Sequence, residues 1–162
     1  MGKAKEISLT QDLLHNLFHY DGNNLIWRNN RANGKIKAGS IAGCIHHTGY
    51  RHIRKGGRLY QAHRLLWIYY YGSIDKDIQI DHINGIRDDN RIENLRLATT
   101  QENAFNRKNA KGYYWDKQRK KYRGHINLNG KKKCLGFYNT TQEAHQAYLD
   151  AKKTLHIIKD RI

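Results

Sequence analysis

The residues best equipped for chemistry lie in one stretch from Ile80 to Asn106, "IDHINGIRDDNRIENLRLATTQENAFN". A hard divalent cation takes oxygen ligands, and an Asp carboxylate with an Asn carbonyl leaves further positions for water and phosphate oxygens. A histidine beside such an ion can take a proton from water, because imidazole titrates near neutral pH. Asp81 and Asn103 are therefore candidate metal ligands, and His82 is a candidate general base. Each has an ordinary reading when taken singly. An Asp–His pair is most often a surface hydrogen bond, Asn84, Asp88, Asp89 and Asn90 suit a turn, and Asn94 alone suits a cap. Their combination in one short segment is what raises the chemical reading above these.

The elements around the segment must bring those side chains together. Gln79 to Ile83 reads as a short strand, Asn84 to Arg91 as a polar loop and Leu95 to Ala98 as a second strand. Thr99 and Glu102 form a capping box that starts a helix with Asn103 in its first turn, facing back toward the strand pair. If strands and helix pack together, Asp81, His82 and Asn103 converge. Upstream, "YQAHRLLWIYYYG" reads as an apolar helix ended by Gly72, and its aromatic stripe as core. Residues 8–20 set Leu9, Leu13, Leu14, Leu17 and Phe18 on one helical face, with Ser8 and Gln11 as a capping box. Between Leu25 and Tyr60, short apolar runs broken by glycines predict small antiparallel strands, with "RKGGRL" as a hairpin. Residues 110–156 repeat the design: "GYYWD", "KYRGHINLNG" and "KKKCLGFY" are strand candidates, Asn129-Gly130 is a hairpin turn, and Thr140 with Glu143 caps a helix. Ala144, Ala147, Tyr148, Ala151 and Leu155 share one face of that helix. The fold class is α+β, built from small antiparallel sheets.

Charge narrows the partner. The chain has 162 residues with 30 Lys plus Arg against 14 Asp plus Glu, a formal charge of +16. Residues 1–78 carry +7, residues 79–106 carry −2 and residues 107–162 carry +11. An acidic island thus sits between two basic arms. The basic residues lie in Gly-punctuated, strand-like stretches interleaved with Tyr, Trp and His, rather than on one amphipathic helix, which favours nucleic acid over a membrane surface. Candidate DNA contacts in the first arm are Arg51, Arg54, Lys55 and Arg58. His63 and Arg64 could touch DNA near a cut, with helix packing the competing role for His63. Arg87, Arg91 and Arg96 read as phosphate clamps or as partners of Asp88 and Glu93. Three strands covered by one helix leave a sheet face free in the second arm, where Trp115, Lys117, Arg119, Tyr122, Arg123, His125 and some of Lys131, Lys132 and Lys133 could lie, although alternation turns some of them inward. No apolar run is long enough to cross a bilayer, and the N-terminus lacks the apolar stretch of a signal peptide, so no membrane partner is expected. Cys44 and Cys134 are far apart, with no C-x-x-C, and are expected to be reduced core thiols rather than a disulfide or a zinc site.

The stretch Asp81 to Asn106 resembles the HNH endonucleases of the ββα-metal fold, specifically the phage and intron-encoded homing type with its "DHINGxxxDNRxENLRxxTxxxNxxN" pattern. With the upstream helix, the resemblance covers about residues 61–106. It implies Asp81 as a metal ligand, His82 as general base, Asn94 as the residue that orients the His and steadies the loop, and Asn103 as the second metal ligand. Asn103 stands where many relatives have a final His, as in the H-N-N variants, and an oxygen ligand there favours Mg2+ or Mn2+ over zinc. Residues 110–156 resemble a second family, the Apetala-type domain, through "LGFYNTTQEAHQAYLDA". That family inserts its three-stranded sheet into the major groove, which by position makes Trp115, Lys117, Arg119, Tyr122, Arg123 and His125 DNA contacts.

The expected layout is an N-terminal helix and small β-rich DNA-contacting region (1–60), an HNH nuclease core (61–106), a basic linker (107–111), an Apetala-type DNA-binding domain (112–156) and a tail (157–162). The expected activity is metal-dependent hydrolysis of phosphodiester bonds at a recognised site in double-stranded DNA, leaving 5′-phosphate and 3′-hydroxyl ends. One HNH centre cuts one strand at a time, so a monomer would nick and a double-strand break would need a homodimer or two events. The resemblance places the protein in the cytoplasm of a bacterial host, encoded by a phage. The rival from another class is a sequence-specific DNA-binding regulator with an inactive nuclease centre; a structure-specific or RNA-directed nuclease is the third reading.

Overall fold

The computed structural model describes residues 9–32, 34–106 and 110–157. They form a mixed α+β structure of small antiparallel sheets and helices, grouped into two compact units divided between Leu97 and Ala98.

The first unit begins with α1 (Gln11–Leu17), which is shorter than the apolar periodicity over residues 8–20 predicts. Thr10 is its cap and accepts from the Leu13 amide at 3.3 Å, while Ser8 lies outside the described residues. Phe18 leaves the helix to start β1 (Phe18–Tyr20), paired antiparallel with β2 (Leu25–Trp27). Asp21 turns the chain between them by accepting from the amides of Asn23 at 2.9 Å and Asn24 at 2.7 Å. Such local carboxylate bonds compete with helix propagation, and Phe18 is buried in the resulting hairpin.

A second small sheet follows in the order β3 (Cys44–Ile45), β4 (Arg51–Lys55), β5 (Arg58–Gln61). Its hairpin turns at Gly56 and Gly57, both at positive φ as a two-residue β-turn of this hand requires. Gln61 then caps α2 (Ala62–Tyr71), which Gly72 ends at φ 85°. Leu65, Leu66, Trp67 and Ile68 of α2 meet Leu14, Phe18, Leu25 and Ile53 in one core. The aromatic stripe is core only in part: Trp67 is buried, but Tyr70 and Tyr71 are exposed. A third sheet pairs β6 (Gln79–His82) with β7 (Leu95–Ala98), where Ile80 and Leu95 reach the same core.

The second unit holds α3 (Thr100–Phe105), β8 (Tyr113–Asp116), β9 (Lys121–Leu128), β10 (Lys131–Tyr138) and α4 (Thr141–Leu155). Two of the three predicted capping boxes are formed here, Thr99 with Glu102 and Thr140 with Glu143. Such a cap stabilises a helix by about 1 kcal/mol, which matters most for a helix as short as α3. The sheet runs β10-β9-β8, hinged at Asn129-Gly130. Ala144 and Tyr148 of α4 are buried, as is Ile126 on β9. Gly112 must be glycine: it has φ 71°, and a Cβ there would collide with the Tyr148 ring. α3 belongs with the C-terminal elements, although its residues continue the segment that the sequence analysis groups with His82. Of the linker, residues 107–109 lie outside the described residues, as do residues 158–162 of the tail.

The cysteines do not fit the expected core role, since both are exposed. Cys44 lies on the short edge strand β3. Cys134 pairs with His125 on the sheet face away from α4.

Candidate functional site

Asp81 and His82 end β6, and both are buried, at 6% and 4% exposed. The loop that follows is held by side-chain amides. Asn94 is its central tie: its Oδ1 accepts from the Asn84 amide at 3.0 Å, and its Nδ2 donates to Asn84 Oδ1 at 3.1 Å and to the Asp89 carbonyl at 2.7 Å. Asn84 Nδ2 donates in turn to Asp89 Oδ2, and the turn at Gly85 closes on the His82 carbonyl at 2.8 Å. Asn94 thus bonds to both ends of the loop.

The residue that holds His82 directly is Asn90. His82 Nε2 donates to Asn90 Oδ1 at 3.1 Å, so the ring proton sits on Nε2 and the basic lone pair on Nδ1. Asn90 is 2% exposed and its Nδ2 has no hydrogen-bond partner. A buried amide with one end unpartnered is costly, which argues that its place is set by the other end, at His82. Sequence reasoning took Asn90 for a loop former. Nothing in the sequence separates it from the other short polar residues of "DDNR".

His82 packs edge-on against His63, with ring centroids 4.9 Å apart, and against Tyr50 at 5.9 Å. Burial pushes the His82 pKa down, while the bond to Asn90 and the charges of Asp81, Asp89 and Asp88 push it up; the net shift is downward. The imidazole is therefore neutral at pH 7 and able to accept a proton. His63 is 4% exposed, placed as the packing alternative requires. Burial, then the nearby His82, Arg64 and His52, drive its pKa to about 3.

The acidic island is matched by arginines. Arg96 donates from Nε and Nη2 to Asp81 Oδ2 at 3.0 and 2.8 Å. Arg51 donates from Nε and Nη2 to the two carboxylate oxygens of Asp88, both at 3.1 Å. Arg91 does the same to Asp89 at 2.8 Å, and these bonds hold the Asp89 pKa down at about 2. Arg87 lies 5.0 Å from the Tyr50 ring and donates to the Thr48 carbonyl at 2.7 Å. The segment from Thr48 to Arg51 thus clasps the loop. Of the first-arm DNA candidates, Arg54 and Arg58 are exposed and Lys55 and Arg64 half-buried, whereas Arg51 and Arg96 spend their guanidinium groups on carboxylates. A double-mutant cycle over Arg51→Ala and Asp88→Ala should give a coupling of about 1–2 kcal/mol in urea unfolding. Additive effects, with a reduced salt slope of DNA binding in Arg51→Ala, would return Arg51 to the phosphate contacts.

Asn103 lies on α3, half-buried, within the second unit. In that unit, alternation about the buried Gly124 sorts the sheet residues. Arg123, His125 and Lys132 fall on the face away from α4, as do Tyr114, Cys134 and Phe137, which sequence reasoning omitted. Arg119 reaches this face from the turn, its guanidinium 4.6 Å from the Phe137 ring, and Lys132 lies 6.0 Å from the Tyr114 ring. Trp115, Tyr122, Lys131 and Lys133 share the register of Gly124 and Ile126 instead, and Lys117 is exposed in the turn. The signal for Tyr114 was the strand period itself, which puts it opposite Trp115.

Residues 60–105 match the HNH endonuclease family model. The "Protein 3.8" of Escherichia phage T7 is 36% identical over 89 residues, which cover 51% of this chain and 71% of that protein. YosQ, an SPbeta prophage-derived protein of Bacillus subtilis (strain 168) named as a candidate HNH homing endonuclease, is 37% identical over 57 residues, covering 35% of this chain and 33% of YosQ. No solved structure matches the chain significantly. Among the described residues, no helix is long and apolar enough to cross a membrane. The buried Asp-His pair and the loop tied by Asn94 lie within the residues that match the family model, and the chain belongs to the family of phage T7 Protein 3.8, with an HNH endonuclease domain over residues 60–105.

Proposed function

We propose that this protein is a metal-dependent DNA endonuclease of the homing type, hydrolysing phosphodiester bonds at a recognised site in double-stranded DNA, encoded by a phage and acting in the cytoplasm of its host. The observation that carries the reading is His82: a neutral imidazole at the end of β6, with its proton fixed on Nε2 by Asn90 and its loop tied by Asn94, inside the HNH segment.

A cation fits Asp81. Its Oδ2 already faces a positive group, the Arg96 guanidinium, so the carboxylate is arranged for cationic charge. Among the described residues no three His, Cys, Asp or Glu side chains are grouped to hold a metal. A site with one carboxylate suits a hard cation that keeps water and phosphate ligands, Mg2+ or Mn2+, rather than zinc. Asp81 and Asn103 are the proposed ligands, Asn103 on the strength of its motif position. When bound, the ion supplies charge stabilisation to the phosphoryl centre and the departing 3′ oxygen. His82 takes the proton of the attacking water at Nδ1, and Asn90 holds the ring in that tautomer. Arg96, which pairs with Asp81 here, would be a phosphate contact if a cation took its place on the carboxylate. The reaction leaves 5′-phosphate and 3′-hydroxyl ends.

The C-terminal three-stranded sheet is proposed as a DNA-binding module of the Apetala type, and its face away from α4 offers Arg119, Arg123, His125 and Lys132 beside Tyr114 and Phe137. Cations stacked with aromatic rings neutralise phosphates and contact bases. Trp115, Tyr122, Lys117, Lys131 and Lys133 would then act at the rim, with Arg54, Lys55, Arg58 and Arg64 on the first unit.

The test incubates the protein with supercoiled plasmid and phage genomic DNA in Mg2+, in Mn2+ and in EDTA. Cutting in either metal and none in EDTA is expected, with nicks that a ligase reseals. A cleavage position that survives excess competitor DNA at physiological salt would establish site recognition. Salt-sensitive binding with no cutting in any metal would overturn the nuclease reading in favour of a regulator.

A further inference from the structure

The helix that carries Asn103 is anchored within the second unit at two points. At its C-terminal end, the Phe105 ring stacks on His156 at 3.8 Å between centroids, with the planes 9° apart. His156 is itself fixed: it caps the C-terminus of α4, and its Nε2 donates to the Asn127 carbonyl at 3.2 Å. At its N-terminal end, Gln101 Nε2 donates to Asn129 Oδ1 at 3.0 Å. Asn129 is the first residue of the β9–β10 turn, held at φ 50°.

Between the two anchors the packing is open. A cavity of about 200 Å³ lies there, lined by Ala104, Ile126 and Tyr148 as well as by the anchor residues. Six residues make too short a helix to hold itself, so its orientation depends on its cap and on these contacts. Asn103 lies between Gln101 and Phe105. The hairpin that holds Gln101 runs directly into Lys131 and Lys132, on the strands proposed to contact DNA.

We propose that His156 and Asn129 are positioning residues for Asn103. The C-terminal module, besides holding DNA, sets the orientation of the helix that presents this ligand. The proposal rests on the reading of Asn103 as a metal ligand. The two anchors constrain rotation about the helix axis, and rotation is what would swing Asn103 away.

The experiment measures manganese binding by electron paramagnetic resonance, in full-length protein on a duplex with a non-hydrolysable phosphate, so that it does not depend on cutting. DNA affinity in EDTA is read in parallel and reports an intact fold. His156→Ala and Asn129→Ala should each weaken manganese binding by about 10-fold, the scale seen when a residue that orients a ligand is lost, with DNA affinity within about two-fold of wild type. His156→Phe keeps the stacked ring and should restore binding to near wild type. Unchanged manganese binding in His156→Ala and Asn129→Ala, with Asn103→Ala weakened, would overturn the positioning role while leaving the ligand reading in place. Unchanged binding in Asn103→Ala would overturn the ligand reading and this proposal with it. Parallel losses of metal and DNA binding that His156→Phe does not repair would reduce the stack to general folding and overturn the role.

Discussion

Replacing His82 by alanine should slow cleavage by about 10²–10⁴-fold, the usual contribution of a positioned general base, while DNA affinity in EDTA stays at the wild-type value. The buried imidazole is the one group at the end of β6 that is neutral at pH 7 and has its proton assigned away from the reacting side. Asn90→Ala should give a smaller loss, about 10-fold, because the ring remains but can take the other tautomer. The pH dependence follows from the same environment. Burial lowers the His82 pKa more than Asn90 and the neighbouring acids raise it. A base must be deprotonated to act, so the rate should rise with pH and level off, with its inflection below the ordinary value of about 6.5. Removing Asn90 takes away one influence that raises the pKa, so the inflection in Asn90→Ala should move lower still. A bound divalent ion beside Asp81 acts in the same direction. Single-turnover cleavage between pH 5 and pH 8.5 measures all of this. An undiminished rate in His82→Ala, or a wild-type inflection above 6.5, would remove His82 from the role of base.

Local patterns told most of the fold. The strand-loop-strand-helix order around His82 could be read from turn residues and a capping box, and the boxes at Thr99 and Thr140 are formed, whereas α1 is capped by Thr10 and not by the expected Ser8. The hairpins at Gly56-Gly57 and Asn129-Gly130 could be read because positive φ is nearly a chemical property of those residues. Three features were hidden for a shared reason: they depend on pairings that no local pattern specifies. Apolar periodicity could not show that Phe18 leaves the helix to pair with Trp27. Composition could not show that Arg51 pairs with Asp88, since the pair is joined only when the β4 strand passes the loop. Asn90 looked like every other polar loop residue until its Oδ1 was seen on His82. The exposed cysteines belong to the same class, because a strand's alternation does not say which face a helix will cover. In each case the residue type limited the options and tertiary contact chose among them.

The fold itself should lose stability steeply in mild acid, and His63 should account for much of the slope. Its imidazole is buried against His82 and Tyr50, its Nδ1 has no hydrogen-bond partner, and its pKa falls to about 3. In the unfolded chain the same ring titrates near 6.5. Between those values the unfolded state binds a proton that the folded state refuses, so unfolding is favoured by falling pH and stability rises with pH. The stability is full above pH 6.5, and lowering the pH from 7 to 5 should remove about 2 kcal/mol through this residue alone, a large share of a typical domain's 5–15 kcal/mol. His82, also depressed by burial, adds a second contribution of the same sign. Urea unfolding of the wild type and of His63→Phe at pH 7.5 and pH 5 separates the two. The phenylalanine keeps the aromatic contact with Tyr50 and His82 and cannot bind a proton, so the variant should be close to wild type at pH 7.5 and more stable than it at pH 5. It also removes the positive neighbour that a protonated His63 would present to His82. An equal loss in both proteins between the two pH values would mean that His63 is solvated or protonated in the folded state. In that case the imidazole beside His82 would carry charge in mild acid, and that like charge would add to burial in keeping His82 neutral.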